Sequence, residues 1–219
     1  MPHAVADARF WNRIAPKYAA DPIKDVGGYE RTLVRTRHFL KSTDTVLELG
    51  CGTGTTALRL APHVKRLIAT DLSGEMIAIA RDKAAARDCR SVEFSVGTPD
   101  SAAWPDGTFD AVLAFNLLHL VAGRANALAQ VSRLLKPGGL FVSKTPCLSE
   151  MNRLIRFALP VMQFVGKAPH VDCFTADELE RDIVAAGMTI VERARHGSGR
   201  KDPRIFLVGQ KPVGANASP

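Results

Sequence analysis

From residue 44 onward the chain alternates between two periodicities. Runs of about five apolar or β-branched residues occur at 45–49, 66–70, 92–96, 111–115 and 139–143. Between them, at 55–63, 74–86 and 123–135, apolar residues return every three or four positions. The short runs read as strands and the longer stretches as helices. Strands that alternate with helices are parallel strands joined by crossovers, so a doubly wound sheet is predicted. The helix at 123–135 should stop at Lys136-Pro137-Gly138-Gly139. Thr175-Ala-Asp-Glu178 is a capping box, opening a helix that ends at Gly187. Two last strands, 189–193 and 204–208, are joined by a basic turn, which makes the final strand antiparallel. Ahead of all this, Phe10, Ile14 and Tyr18 share one helical face, and Tyr29, Leu33, Thr36 and Leu40 another. Asp21-Pro22 and Gly27-Gly28 are expected to interrupt the two helices. The predicted class is α/β: a mostly parallel sheet with an antiparallel last strand, helices on both faces, and a helical cap. The domain reading is a cap over 1–42, a main domain over 43–211, and a disordered tail over 212–219.

One segment departs from the alternation. Within 148–170, Met151, Leu154, Ile155, Ala158, Leu159, Met162 and Val165 recur at helical spacing, with Pro160 expected to kink or split the helix. Placed after the fifth strand, such an insertion stands above the carboxyl edge of the sheet as an apolar lid. An amphipathic helix on an anionic membrane surface is the other reading, and Arg153 and Arg156 fit it.

Composition bounds the rest. The 219 residues are 46% hydrophobic, enough for one buried core. A net charge of +7 permits anionic partners without demanding them. No aromatic platform is interleaved with the basic turn at 193–201, so nucleic acid is not the indicated partner. Cys51, Cys89, Cys147 and Cys173 are scattered, which suggests neither a disulfide framework nor a metal site and points to a reducing, cytoplasmic setting. The N-terminal MPHAVADARFW lacks the cationic and apolar blocks of a signal peptide. Oligomeric state is left open between monomer and homodimer.

The chemistry-bearing stretch is VLELGCGTG, residues 46–54, where a strand runs into three glycines at alternate positions. At the carboxyl edge of a parallel sheet, glycines permit positive φ and leave backbone N–H groups open to a nucleotide-like ligand. A dinucleotide fingerprint would be G-x-G-x-x-G. Here Gly50, Gly52 and Gly54 give G-x-G-x-G, with Thr55 in the third place, so a pyrophosphate ligand is disfavoured. Asp71 ends the next strand about twenty residues on, where an acid can accept from ribose hydroxyls.

E-x-G-x-G-x-G from Glu48 to Gly54, Asp71 followed by Leu72-Ser-Gly-Glu-Met76, the segment 104–112 (WPDGTFDAV) and the segment 134–139 (LLKPGG) together resemble the class I S-adenosylmethionine-dependent methyltransferases, a Rossmann-like fold. The nearest likeness is to the small-molecule branch that includes ubiquinone and menaquinone C-methyltransferases. The resemblance implies that S-adenosylmethionine is the cofactor and S-adenosylhomocysteine the product. Within E-x-G-x-G-x-G it implies contacts from Glu48, Gly50, Cys51, Gly52 and Gly54, the methionyl part lying on the turn. It implies Asp71 on the ribose diol, Leu72 and Met76 flanking the adenine, Gly97, Thr98 and Pro99 at the adenine edge, and Asn116 near the methionyl group. Tyr18 matches a tyrosine that in relatives closes over the cofactor. Relatives often carry an acid directly after the glycine at Gly97; Thr98 stands there in this chain, with Asp100 two residues later.

The implied reaction is an in-line displacement whose leaving thioether needs no help, so orientation matters more than a general base. His119, after the fourth strand, is the candidate base, with a packing role as the alternative. The candidate acceptor-binding residues are Tyr29, His119, Met162 and His170. A small, lipophilic or aromatic acceptor is expected. Methylation of RNA or protein, a non-catalytic cofactor-binding module and a nicotinamide enzyme are the alternatives.

Overall fold

The computed structural model describes residues 2–98, 104–150, 169–199 and 202–214, with side chains from residue 7 onward. Pro99, Asp100, Met162 with residues 151–168 of the apolar insertion, and residues 215–219 of the tail lie outside them.

Helices α1 (Pro2–Ala20) and α2 (Val26–Phe39) precede the alternating unit. That unit runs β1 (Thr45–Leu49), α3 (Thr55–Leu60), β2 (Arg66–Asp71), α4 (Gly74–Ala85), β3 (Val92–Val96), β4 (Phe109–Phe115), α5 (Arg124–Leu134) and β5 (Leu135–Pro146). It closes with α6 (Ala176–Ala185), β6 (Thr189–Ala194) and β7 (Arg204–Gln210). The seven strands form one sheet in the order β3-β2-β1-β4-β5-β7-β6. β1 to β5 are parallel, and β7 runs antiparallel between β5 and β6. The order reverses at β1, which pairs with both β2 and β4. At such a switch point the flanking crossovers leave on opposite faces and open a crevice at the strands' carboxyl ends.

Side-chain parity divides the core in two. Leu47 and Leu49, Val112 and Ala114, Phe141, and Ile205 and Leu207 join α5 and α6 residues Leu128, Val131, Leu179 and Ile183 on one face. Val46, Ala111 and Leu113, Val142, and Phe206 and Val208 meet Leu33 of α2, Ala57 and Leu60 of α3, and Ile77 and Ala80 of α4 on the other. Because successive strand residues point to opposite faces, Glu48 of β1 and Lys144 of β5 share the parity of this second face.

Three local details differ from the sequence reading. Gly27 and Gly28 do not break the second helix; they form its first turn, capped by Asp25, whose Oδ1 accepts from the Gly28 N–H at 2.9 Å. A Cβ on Gly28 would stand 2.3 Å from Asp25 Oδ2 and 2.9 Å from the His196 carbonyl, so close approach, not flexibility, explains the glycine. The stretch at 55–63 is α-helical only to Leu60; Pro62 then imposes a 3-10 turn. Finally, β5 begins at Leu135, before Pro137-Gly138-Gly139, since Leu135 already pairs with Phe109 and a bulge absorbs the break before Leu140 pairs with Ala111. The capping box forms as read, with the Thr175 hydroxyl accepting from Glu178 N–H and the Glu178 carboxylate from Thr175 N–H.

Candidate active site

The glycine turn connects β1 to α3 at the switch point, and all three glycines have positive φ: 65° at Gly50, 54° at Gly52 and 74° at Gly54. Their reasons differ. A Cβ on Gly54 would lie 2.7 Å from Phe94 and 2.8 Å from the Ala80 Cβ, so this glycine lets α4 and β3 close on the turn. At Gly52 only the Tyr18 ring comes near, at 3.7 Å, so here backbone conformation alone requires glycine. Tyr18 of α1 therefore stands over the turn. It is braced edge-on by Trp11, and burial and the neighbouring Asp71 charge raise its pKa.

Asp71 ties the turn to β2. Its Oδ2 accepts from the Gly52 N–H at 2.9 Å and its Oδ1 from the Ser73 N–H at 2.9 Å. Asp71 is 8% exposed and stands behind the turn, outside the lining of the cavity described below. Burial raises the Asp71 pKa, and the backbone donors oppose that shift. Ser73 caps α4 and donates to Asn12 of α1 at 2.6 Å. Leu72 is half-buried beside it, and Met76 is buried in the first turn of α4. Gly97 joins the end of β3 to β2 through a bond from its N–H to the Asp71 carbonyl, and Thr98 follows.

A cavity of about 380 Å³ opens beneath α1, α2 and their connection. Tyr18, Tyr29, Glu48, Gly50, Cys51, Gly52 and Asn116, all predicted site residues, line it together. Glu48 is 2% exposed, and its Oε2 has no hydrogen-bond partner among the described residues. Burial, then the charge of Asp71, pushes its pKa up to about 8. Tyr29 bonds Thr56 Oγ1 at 3.3 Å, and burial raises its pKa. Burial holds the Cys51 thiol protonated, its pKa well above the ordinary value, so it offers no thiolate in the cavity. Asn116 adopts φ 52°, uncommon outside glycine, and its N–H donates to the Lys144 carbonyl at 2.7 Å.

Other predicted residues stand elsewhere. His119 lies in a short 3-10 turn after β4 and does not line this cavity. Its Nδ1 is buried without a partner among the described residues, and burial depresses its pKa to about 4, so the ring is a neutral imidazole. The His170 backbone N–H donates to Asp7 of α1 at 2.9 Å, and this residue is also absent from the cavity wall. Conversely, Thr32, Phe115, Lys144 and Arg204 line the cavity and were not singled out in the sequence. The available signal was parity: Lys144 follows Val142 by two in a strand with both faces covered, so a lysine there must point inward. Lys83 was also missed; its Nζ braces the turn through Thr53 and Thr55 hydroxyls at 2.9 and 3.3 Å.

The fit of the site to S-adenosylmethionine rests on Glu48. A buried carboxyl group with an unpartnered oxygen, facing a cavity walled by Gly50 and Gly52, calls for a cationic donor, and the cofactor carries one in its ammonium group.

Comparison with known proteins identifies the family and the fold. Residues 46–139 match the family described as methyltransferase domain. Demethylmenaquinone methyltransferase of Symbiobacterium thermophilum is 31% identical over 158 residues, 67% of this chain and 61% of that protein. Malonyl-[acyl-carrier protein] O-methyltransferase of Geobacter sulfurreducens is 31% identical over 184 residues, 80% of this chain and 67% of that one. The crystal structure of YcgJ from Bacillus subtilis superposes with a TM-score of 0.69 at 20% identity, covering 84% of this chain and all of that one, which shows the shared fold. The chain belongs to the class I S-adenosylmethionine-dependent methyltransferases. It spans less than two thirds of the first curated relatives it matches, 38% of YcgJ and 61% of the Symbiobacterium enzyme by aligned length.

Proposed function

We propose that the chain transfers a methyl group from S-adenosylmethionine to a small, largely apolar acceptor. The observation that carries this reading is the buried, unpartnered Glu48 in one cavity with the glycine turn and with Phe115 and Asn116. When bound, the cofactor supplies an electrophilic methyl on a sulfonium. Glu48 would hold the ammonium group, the turn backbone the methionyl part, and Asp71 the ribose diol, with Tyr18 closing the cavity over Gly52. The acceptor's place is the part of the cavity walled by Tyr29, Phe115 and Asn116. These residues act by orientation and by excluding water; holding nucleophile and methyl in line can supply roughly 7–11 kcal/mol of the barrier. Tyr18, Pro22 and Ile23 give the cavity an apolar patch for a lipophilic acceptor, beside the charged Asp21, Lys24 and Asp25. The names of relatives that act on demethylmenaquinone and on ubiquinone or menaquinone precursors support the same class.

The test is a titration with S-adenosylhomocysteine, read by calorimetry and thermal shift, with nicotinamide cofactors alongside. Tight binding of S-adenosylhomocysteine and a rise in melting temperature are expected. Preference for a nicotinamide cofactor, or no binding at all, would sink the proposal.

A further inference from the structure

The wall of the cavity carries both signs of charge, with Asp21, Lys24 and Asp25 at the α1–α2 connection and three more charged residues on the strands. At the β1 end stands Glu48; across β4, where Phe115 pairs in register with Lys144, stand Lys144 of β5 and Arg204 at the start of β7. The two cations are not equivalent. Arg204 is neutralised locally, its Nε bonded to Asp202 at 2.7 Å and its guanidinium 3.6 Å from Asp25. Lys144 is 6% exposed and, among the described residues, pairs with no carboxylate. Its Nζ donates to the Thr32 hydroxyl at 2.8 Å and to the Gly28 carbonyl at 3.4 Å.

Hydrogen counting then fixes what is left over. Thr32 gives its own proton to the Gly28 carbonyl at 2.8 Å, so towards Lys144 and towards His196 Nδ1, 3.2 Å away, it acts as an acceptor. A neutral Lys144 amine spends both N–H groups on these two oxygens and keeps a lone pair. An ammonium keeps a third N–H instead. A buried ammonium without a close counter-charge is costly, so an acidic hydroxyl would complete either form: the amine could take its proton, and the ammonium could then hold its oxyanion.

We propose that Lys144 is the receptor for an ionisable hydroxyl of the acceptor, and that the acceptor is a phenol or enol lying over Phe115 with its oxygen toward Nζ. The inference rests on the methyltransferase reading given above and narrows its substrate class. The acceptor's O–H bond breaks, an N–H bond forms on Nζ, and the electron pair stays on oxygen as the oxyanion that attacks or activates the ring. The ammonium and oxyanion then form an ion pair, and the proton later leaves to solvent. Burial lowers the Lys144 pKa from its ordinary value, which favours the neutral amine. Arg204 and Arg31 add to that lowering, while Asp202 and Asp25 oppose it; His196, itself depressed chiefly by burial and then by Lys144, is the remaining titratable neighbour.

The test uses 4-nitrophenol, whose absorption reports its own ionisation, titrated into protein with and without S-adenosylhomocysteine. Bound nitrophenol should show the phenolate band at lower pH than in solution, and 4-nitroanisole, which has no acidic hydroxyl, should bind at least about 10-fold more weakly. Lys144→Met should abolish the band shift while keeping affinity for S-adenosylhomocysteine. Thr32→Val, a milder change, should reduce the shift. Equal binding of phenol and anisole by the unaltered protein, an unchanged band in Lys144→Met, or no phenol binding would each overturn the assignment. Failure of the cofactor reading is separate, because it appears as absence of any S-adenosylhomocysteine shift.

Discussion

Glu48 illustrates how one buried atom can set a protein's response to pH. Its folded pKa, about 8, lies above the ordinary 4.5, so the folded state holds the proton more tightly than the unfolded chain. Stability from this group is therefore complete below about pH 4.5 and is lost as pH rises through about 8. Glu48→Gln should flatten that decline in cofactor-free protein, so melting curves of the two should diverge toward alkaline pH with the variant the more stable. Binding an ammonium group reverses the preference. S-adenosylhomocysteine should release a proton from Glu48 near neutral pH, measurable as a dependence of calorimetric enthalpy on buffer ionisation, and Glu48→Gln should remove it. Asp71 acts at the same scale through bonds already made. Asp71→Ala deletes acceptors for Gly52 and Ser73 as well as for the ribose, so affinity for S-adenosylhomocysteine should fall by roughly 1.5–3 kcal/mol. Unchanged affinity by calorimetry would place the ribose elsewhere.

At the scale of elements, the turn works because α3, α4 and β3 converge on Gly54. Gly54→Ala must seat a Cβ against Phe94 and Ala80 while holding φ near 74°. The left-handed conformation costs about 1–2 kcal/mol, and crowding of the packed side chains about 1–3 kcal/mol more. Urea denaturation should show a loss of that order, against little change for Gly74→Ala, where a Cβ meets nothing within 4 Å. The same elements show what a sequence makes legible. Every strand of the sheet was readable, since strands covered on both faces leave continuous apolar runs and the edge strand β6 alternates. Tyr18, Glu48, Gly50, Cys51, Gly52 and Asn116, named from the resemblance, line one cavity; the turn and the strand ends position all of them but Tyr18, which α1 carries. The missed features depend on contacts between distant segments. Gly28 looks like a helix breaker until the His196 carbonyl is seen beside it, and Leu135 looks like a helix end until it pairs with Phe109. Lys144 fell outside a strand read as 139–143, one residue short, so its inward direction passed unnoticed.

At the scale of the molecule, part of the positive charge is engaged in ion pairs among the described residues. Arg193 of the basic turn pairs with Asp177 and Glu180, and Arg195 with Glu150. Arg35 pairs with Glu192, and Arg124 with Asp172 and Asp182. What remains distinctive at this scale is the cover. α1 reaches α4 through Asn12 and Ser73, and residue 170 through Asp7, while laying Tyr18 over the turn. α2 instead sends Leu33 into the core and Thr32 to Lys144. The first helix packs on α4 but, among its described residues, buries only Ala15, whereas the second buries Gly28, Thr32, Leu33 and Thr36, so local opening should begin at the first. Hydrogen exchange should show this directly. Without ligand, amides of α1 should exchange well before those of β1, β4 and β5. With S-adenosylhomocysteine at roughly 100 times its dissociation constant, global stability should rise by about 2.7 kcal/mol. Protection should increase most in α1 around Tyr18 and in the glycine turn. Equal protection gains throughout the sheet, with none in α1, would mean that α1 does not close over the ligand.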